Sequence, residues 1–283
     1  MRGGGTVDRL DFTYTGQYNE RLEDGVVEFL TTGVLKFKKE AAIDAFLVGG
    51  GSGGCSGWYI GGSNYGGGGG GAGGFTKTLL NIIPRTNLEY EIVIGAGGSA
   101  GRSKLDSSTV VTSPTNGGDT VAFGATAGGG KVSKAITSGS SLSSAMLPYL
   151  ICGGSGGSGG GQSVGRGITS PFNVAGAGGS DGSDGGAANP QPNATQYPIG
   201  TGQGTTTKEF GEATGKLYAG GGGAGNILGT PTSGGAGGGG NGGSGMTATP
   251  NTGGGGGGAN EGSVSTGGAG GSGIVCIRLH KEA

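Results

Sequence analysis

Residues 43–54 read IDAFLVGGGSGG, and this passage from an apolar run into a glycine block decides the fold. The first half, Ile43 to Val48, is apolar apart from Asp44, which predicts a buried strand. The second half is glycine apart from Ser52, although glycine is disfavoured inside helices and strands. The chain therefore joins two kinds of backbone at Val48 with no transition between them.

The same junction recurs farther along the chain. Short apolar segments at residues 92–94, 150–152 and 217–219 each run directly into glycines. This repetition indicates a common architecture. The spacing of the junctions is irregular, which is not typical of a solenoid with one fixed repeat.

Strand patterns occupy much of the remaining sequence. Leu10, Phe12 and Tyr14 alternate with polar residues, which is the period of a half-buried strand. Further strand patterns lie at residues 88–94, 120–123, 147–152, 216–219 and 274–280. Since helical periodicity is almost absent, we expect an all-β fold with a jelly-roll-like or sandwich scaffold.

Two local turn signals lie near the start of the chain. The dipeptide Asp24-Gly25 is typical of a tight turn. The strand-like residues 27–31 and 34–38 flank Thr32-Gly33, which predicts a hairpin.

Composition limits what such a scaffold can contain. The 283 residues include 80 glycines, with hydrophobic residues at 31% and charged residues at 12%. Both fractions lie below the usual values of roughly 45% and 25%, so one large apolar core is not expected. The net charge of -1 gives no sign of a basic patch for nucleic acid, and no apolar run is long enough for membrane insertion.

The cysteines and the first residues bear on the cellular compartment. Cys55, Cys152 and Cys276 are far apart in sequence, which favours three buried, reduced thiols over a disulfide framework or a zinc site. Residues 1–5 contain no apolar signal region, so we expect no export by the standard secretory route.

Two interpretations of the glycine blocks compete. Segments of glycine and serine are normally flexible linkers, because ordering glycine costs much backbone entropy. Disordered segments usually carry charge, however, whereas Glu261 is the only charged residue between Lys216 and Arg278. The ordered interpretation is a bundle of polyglycine II helices, which have three residues per turn and bond laterally to one another. We favour the ordered bundle.

The chain is expected to form a single glycine-rich unit over residues 1–283. Its strands should lie mainly within residues 10–48, 75–94, 119–152 and 274–280. Its bundle segments should lie within residues 49–74, 95–101, 153–187 and 219–273. Strands and glycine segments thus alternate, so each glycine block must lead back to a common scaffold.

The order of these elements is similar to that of a known family. The segments that carry the similarity are residues 12–16, 28–33, 43–48, 66–74, 90–98, 118–123 and 270–275. Together they resemble the glycine-rich domain of phage and prophage tail proteins over nearly the whole chain. The resemblance implies a tail-fibre or tail-tip component that contributes to host-surface attachment, made in the host cytoplasm and assembled into the virion. Its partners would be other tail proteins and a bacterial cell-surface polysaccharide or protein, and a homo-oligomer is compatible with it.

Two alternatives to attachment stay open. One is a purely structural virion decoration that binds no receptor. The other is a glycine-rich binding module similar to the ectodomains of receptors such as anaplastic lymphoma kinase. Those ectodomains rely on disulfides, which three distant cysteines do not resemble.

The candidate receptor contacts are aromatic and amide side chains in segments that connect glycine blocks. Aromatic rings are strong contact anchors, and three prolines stiffen residues 189–199, which lowers the entropy cost of binding. The candidates are Trp58, Tyr59, Tyr65, Phe172, Asn173, Gln191, Asn193 and Tyr197. The alternative is that the aromatic rings only wedge or cap the bundle.

Motifs that would indicate an enzyme or a cofactor are incomplete. Residues 92–101 imitate a dinucleotide fingerprint, but the residues after them are poor helix formers. Residues 179–185 carry two aspartates without the downstream glutamate of a calcium loop, so a solvated turn is expected. His280 is the only histidine and fits a partly buried strand better than a Ser-His-Asp triad. We expect no catalytic residue, cofactor or metal.

Overall fold

The computed structural model describes residues 9–61, 64–104, 109–133, 150–166, 174–189, 195–226, 232–243, 245–261 and 264–282. The strands are β1 (Phe12–Tyr14), β2 (Tyr18–Arg21), β3 (Val26–Phe29), β4 (Gly33–Phe37), β5 (Ile43–Val48), β6 (Trp58–Gly61), β7 (Asn64–Gly66), β8 (Thr76–Ile82), β9 (Glu89–Ile92), β10 (Arg102–Lys104), β11 (Thr109–Thr112), β12 (Thr120–Ala122), β13 (Ala125–Ala127), β14 (Gly165–Arg166), β15 (Val264–Thr266) and β16 (Ile274–Leu279). A short 3-10 helix lies at Glu209–Gly211. Among the described residues no helix is long and apolar enough to cross a bilayer.

The central sheet has five antiparallel strands in the order β2-β3-β16-β5-β8. Every residue of β5 is buried, as its apolar sequence predicts. Leu47 of β5 pairs in register with Val275 of β16. Both belong to a buried cluster that includes Leu35, Phe37 and Ile92 of a second sheet, β1-β4-β9. Side chains of two antiparallel sheets therefore form one apolar core, and the expectation of a mainly β protein is confirmed.

The hairpin predicted at Thr32-Gly33 is wrong. β3 pairs with β2 and β16 in the central sheet, whereas β4 pairs with β1 and β9 in the second sheet. All four residues of β3 are buried, so this strand needs a neighbour on each side, and β4 lies in the other layer. The turn predicted at Asp24-Gly25 is confirmed, because Gly25 N donates to Arg21 O at 2.9 Å where β2 leads into β3.

The later strand predictions have mixed outcomes. The patterns at residues 88–94, 120–123 and 274–280 are confirmed as β9, β12 and β16. The strand predicted at residues 147–152 is wrong for its described part, in which the fully buried Ile151 is helical. The pattern at residues 216–219 forms only an isolated bridge between Lys208 and Leu217. Apolar residues in these two segments are buried by packing, which needs no strand ladder.

The glycine tract at residues 49–55 forms hydrogen bonds with a period of three residues. Its first, fourth and seventh N–H groups donate to carbonyl groups within residues 69–75. The second and fifth donate within residues 115–118, and the third and sixth donate within residues 268–271. All of these N···O distances lie between 2.8 and 3.0 Å. Each side of the tract therefore bonds to a different neighbouring segment.

The tract at residues 67–74 repeats this pattern with antiparallel neighbours. The N–H groups of residues 67, 70 and 73 donate to the carbonyl groups of residues 164, 161 and 158. Those of residues 68, 71 and 74 donate to residues 259, 256 and 253. Partner numbers fall as donor numbers rise, so adjacent tracts run in opposite directions. The tracts thus form one bundle that leads away from the central sheet and back.

Many interior positions of this bundle leave no room for a side chain, and side chains return at its surface. A Cβ atom added to Gly51 would lie 1.9 Å from the carbonyl oxygen of Gly254, which is far inside van der Waals contact. On the outer tract at residues 95–102, Ala96, Ser99 and Arg102 are exposed while the residues between them are buried or half-buried. The period of three therefore also places side chains on the solvent face.

Candidate functional site

The end of the glycine bundle remote from the central sheet is the first candidate site, and we call it the distal end. Gly68 lies near it, donating to Ala259 O and accepting from Gly225 N, both at 2.8 Å. One residue beyond these partners, Asn226 N donates to Asn260 Oδ1 at 2.7 Å. The distal end comprises β6, β7, β10, β11, β14 and β15 together with Asn226 and Asn260.

The aromatic hairpin β6-β7 lies at the distal end, but its tryptophan does not face solvent. Trp58 is 0% exposed, and a Cβ atom added to Gly66 would lie 2.6 Å from its ring. Its Nε1–H is buried and forms no hydrogen bond with the described residues. Trp58 therefore wedges the bundle and offers no surface to a receptor. Tyr59 is half-buried and pairs in register with Tyr65, whose side chain lies outside the described part.

Tyr197 is also buried, at 7% exposure, and its main chain is tied to the bundle. The side-chain amide of Gln162 donates to the carbonyl oxygen of Tyr197. Burial raises the pKa of the Tyr197 hydroxyl above its ordinary value. The ring of Tyr197 thus supports the fold, as the wedge alternative proposed.

Four other predicted contacts, Phe172, Asn173, Gln191 and Asn193, lie outside the described residues. Their described neighbours, Val174 and Asn189, form an antiparallel bridge with each other. Val174 is 66% exposed. Val174 ends the first predicted contact loop and Asn189 begins the second, so the bundle places one end of each loop next to the other.

A small sheet, β11-β10-β15, is fixed to the distal end by two buried serines. Ser103 Oγ donates to Gly57 O at 2.6 Å, and Ser265 Oγ accepts from Gly57 N at 2.7 Å. Ser265 Oγ also donates to Asn260 O at 2.8 Å. Sequence reasoning missed both serines, because isolated serines among glycines carry no distinguishing pattern.

A charged cluster on the central sheet is the second candidate site and consists of Arg21, Glu28, Glu209, Tyr218 and Cys276. Arg21 Nη2 lies 2.6 Å from Glu209 Oε2, and Arg21 Nη1 lies 3.5 Å from Glu28 Oε1. The Tyr218 hydroxyl lies 3.4 Å from Glu209 Oε1, 3.5 Å from Glu28 Oε1 and 3.7 Å from the Cys276 sulfur. Sequence reasoning missed this cluster, although a glutamate inside the apolar strand VVEF was an available signal.

The charged cluster is suited to stability rather than to chemistry. Arg21 and Lys216, whose Nζ is 3.4 Å from Glu28 Oε1, balance the two carboxylates. Burial, followed by the nearby charge of Glu209, raises the pKa of the Cys276 thiol well above its ordinary value, so no thiolate nucleophile is available. Atoms of Glu28, Glu209 and Cys276 lie within 4.8 Å of one another, which a metal ion could bridge. The cations already beside the carboxylates remove the electrostatic need for one.

A second ion-pair network surrounds the buried Asp44, near the start of β5 in the central sheet. Asp44 Oδ2 is 3.2 Å from Arg278 Nε, and Asp44 Oδ1 is 2.6 Å from His280 Nδ1. Asn81 N also donates to Asp44 Oδ1, at 3.1 Å. Burial alone would raise the pKa of Asp44, but these hydrogen bonds outweigh it and hold the pKa below its ordinary value. His280 is half-buried beside the terminal strand and acts as a partner of this carboxylate.

The remaining sequence motifs have structural roles. The glycines of the dinucleotide-like motif are followed by β10 and belong to the bundle. The aspartate-rich segment turns at Asp181, whose Oδ1 accepts from Thr206 Oγ1 at 2.5 Å and from Thr207 N at 3.0 Å. All three cysteines are buried thiols, as predicted.

One comparison with known proteins gives a match. The model of the family described as glycine-rich domain matches residues 31–280, from just after β3 to just after β16. A search of curated proteins gives no match. The matched residues include β5, β8 and β16 of the central sheet as well as the glycine tracts, so the match does not rest on an isolated low-complexity segment. The chain belongs to the glycine-rich domain family.

Proposed function

We propose that this chain is a non-enzymatic tail protein of a phage or prophage that contributes to host-surface attachment. In this proposal a β-sandwich base carries a rigid bundle of polyglycine II helices, and the bundle holds contact loops at its distal end. The observation that carries the proposal is the three-residue period of the lateral hydrogen bonds in residues 49–55 and 67–74.

That period supports the polyglycine II interpretation. A threefold extended helix has three residues per turn and no internal hydrogen bonds, so its N–H and C=O groups point outward on three sides. Buried backbone groups need partners, and laterally packed tracts supply them. The contact that a Cβ atom at Gly51 would make with Gly254 explains why most interior positions are glycine. A bundle of this kind is a rigid support, unlike a glycine linker.

Amide hydrogen exchange tests this part of the proposal. Residues 67–74 should exchange as slowly as β5, because their N–H groups are bonded to neighbouring tracts. If the amides of these residues exchange fast while those of β5 are protected, the glycine blocks are flexible linkers and the ordered bundle is wrong.

The attachment role rests on the family resemblance and on the position of the loops. Val174 and Asn189, which border the loops with the four remaining candidates, pair with each other, and the adjacent Ala175 and Ala188 pack with Val164, which directly precedes β14 of the distal end. Loops on a rigid support lose little entropy on binding, which favours recognition of a surface polysaccharide or protein. The alternative of a virion decoration without a receptor would need the same bundle but no binding loops.

Adsorption of virions to cells tests the attachment role. Replacing residues 190–194 by a Gly-Ser segment of equal length, combined with Tyr59→Ala, should reduce adsorption at least tenfold. Leu80→Ala is the matched control, because Leu80 is 60% exposed on β8, away from the distal end. Unchanged adsorption by a correctly folded loop variant would favour the decoration role. Immunogold labelling of this protein on virions then distinguishes the two roles. An attachment protein should be labelled at the tail tip, whereas a decoration should be labelled along the tail shaft.

A further inference from the structure

A polar cavity of about 400 Å³ lies on the face of the central sheet that carries the charged cluster. Residues 209–216 form one wall, and the turn between β2 and β3 forms another. Arg278 and Lys281, at the end of the chain's last strand and just beyond it, complete the lining. Sites for small molecules typically occupy roughly 300–1,000 Å³, so this volume suits a small ligand.

The charged side chains that line the cavity include one more cation than anion. The cations are Arg21, Lys216, Arg278 and Lys281, and the anions are Asp24, Glu209 and Glu212.

The three carboxylates are already matched by arginines in the cavity wall. Asp24 and Glu209 both bind Arg21, at 3.1 and 2.6 Å, and Glu212 binds Arg278 at 2.6 Å. Glu28 and Asp44, which lie behind the wall, also contact these arginines, at 3.5 and 3.2 Å. The carboxylates therefore have little attraction left for a second cation.

The two lysines leave capacity for a ligand. Lys216 is half-exposed and pairs with Glu28 at 3.4 Å, and Lys281 is exposed, so a bound oxyanion would share Lys216 with Glu28 while the Lys281 ammonium group reorients toward it. The Nε–H of Arg21 is buried and forms no hydrogen bond with the described residues. The two ammonium groups are therefore the donors that an anion can reach. Phe210, over which Arg278 stacks at 4.1 Å, adds an apolar surface to the lining.

We propose that this cavity binds a small hydrophilic anion that carries a carboxylate or a phosphate group. The oxyanion lies between Lys216 and Lys281, and Phe210 contacts the remainder of the ligand. The site is on the central sheet, remote from the distal end, and does not depend on the attachment role.

Isothermal titration calorimetry at low salt tests the site with three probes: glucuronate, inorganic phosphate and glucose. Binding of glucuronate alone identifies a carboxylate ligand, binding of phosphate alone identifies a phosphate ligand, and glucose should not bind. The double variant Lys216→Gln/Lys281→Gln should weaken anion binding at least tenfold. Glu212→Gln should tighten it severalfold, because this change removes an exposed negative charge and releases Arg278.

Lys77→Gln is the matched control, since it removes one positive charge from an exposed position on β8 that does not line the cavity. It should leave the affinity unchanged. The proposal is overturned if neither anion binds, if glucose binds equally well, or if Lys77→Gln weakens binding as much as the double variant. Weaker binding by Glu212→Gln would also contradict it. Thermal unfolding of each variant confirms that the fold is retained before titration.

Discussion

Gly51 illustrates why the interior of the bundle is restricted to glycine. Its N–H donates to Gly271 O at 2.9 Å, and its carbonyl oxygen accepts from Gly98 N at 2.8 Å. The space where a Cβ atom would lie is filled by the backbone of Gly254. Glycine is required there by close approach of three neighbouring backbones, not by a left-handed conformation. Gly128, by contrast, has room for a methyl group, since the nearest atom would be Phe75 Cδ2 at 3.4 Å.

These two glycines provide a matched pair of substitutions. Gly51→Ala should destabilise the protein by about 3 kcal/mol, because the methyl group must displace hydrogen-bonded backbone. Gly128→Ala should change stability by less than about 1 kcal/mol, since ordinary contact is offset by lower entropy of the unfolded chain. Urea denaturation measures both changes. Equal effects of the two substitutions would show that backbone packing does not select glycine in the tract.

Asp44 gives a prediction about acid stability. Its pKa is held below the ordinary value of about 4 by partners that exist only in the folded state. A carboxyl group with a lowered pKa stabilises the fold above the unfolded pKa, and this contribution is lost as the pH falls through the folded pKa. Asp44→Asn should therefore cost roughly 2 kcal/mol at pH 7 and progressively less as the pH falls below about 4.

The matched control for this measurement is Asp11→Asn. Asp11 forms a surface pair with Lys38 at 3.5 Å and is 42% exposed, so its contribution should be small. Stability curves measured from pH 2 to 7 should converge at low pH for Asp44→Asn and stay parallel for Asp11→Asn. If the Asp44→Asn curve stays parallel to that of the natural protein, the ionised carboxylate is not what stabilises the fold.

At the scale of elements, local patterns predicted the strands but not their partners. β5, β9 and β16 follow directly from apolar or alternating sequence, because burial of these residues is decided locally. The hairpin at Thr32-Gly33 failed because a turn dipeptide does not reveal that the chain crosses to another sheet. Trp58 was assigned to the surface because nothing in its glycine-rich surroundings indicated that tightly packed backbone would enclose it.

The pairing of the charged cluster was missed in the sequence for a related reason. Arg21 and Glu209 are 188 residues apart, and each is surrounded by ordinary polar or apolar neighbours. Their meeting depends on residues 209–218 returning from the bundle to the central sheet, where Phe210 and Tyr218 pack beside Phe46. Only the three-dimensional path of the chain specifies this contact. The ion pair therefore fastens one end of the bundle to the scaffold.

Glu209→Gln tests this fastening role. The substitution removes the charge that faces the largely buried Arg21, and we expect a loss of about 2 kcal/mol in unfolding free energy. It should also increase trypsin cleavage after Lys208 or Lys216, because residues 209–218 are released from the sheet. Glu89→Gln is the matched control, since the Lys36–Glu89 pair at 3.1 Å is well exposed and should contribute less than about 0.5 kcal/mol. Equal stability of both variants would remove the fastening role.

On the scale of the whole molecule, an apolar core between two sheets adjoins a bundle whose interior is mainly hydrogen-bonded backbone. The central and second sheets share an apolar side-chain core, of which Phe29, Phe37 and Leu47 are members. The bundle has little apolar side chain inside and is closed by backbone hydrogen bonds between tracts. A scaffold with a hydrophobic fraction of 31% can be stable in this way, because peptide groups that satisfy one another replace part of the missing core.

This division predicts an unusually small heat-capacity change on unfolding. Exposure of apolar surface raises the heat capacity, whereas exposure of peptide groups lowers it, and ordinary proteins reach about 12–15 cal/mol/K per residue. Unfolding the bundle exposes mainly peptide groups, so the value for this protein should lie clearly below about 12 cal/mol/K per residue. Differential scanning calorimetry at several pH values gives it from the slope of unfolding enthalpy against melting temperature, and far-UV circular dichroism confirms complete unfolding. An ordinary value would mean that the glycine tracts contribute little cooperative structure, and that the stability resides in the sheets alone.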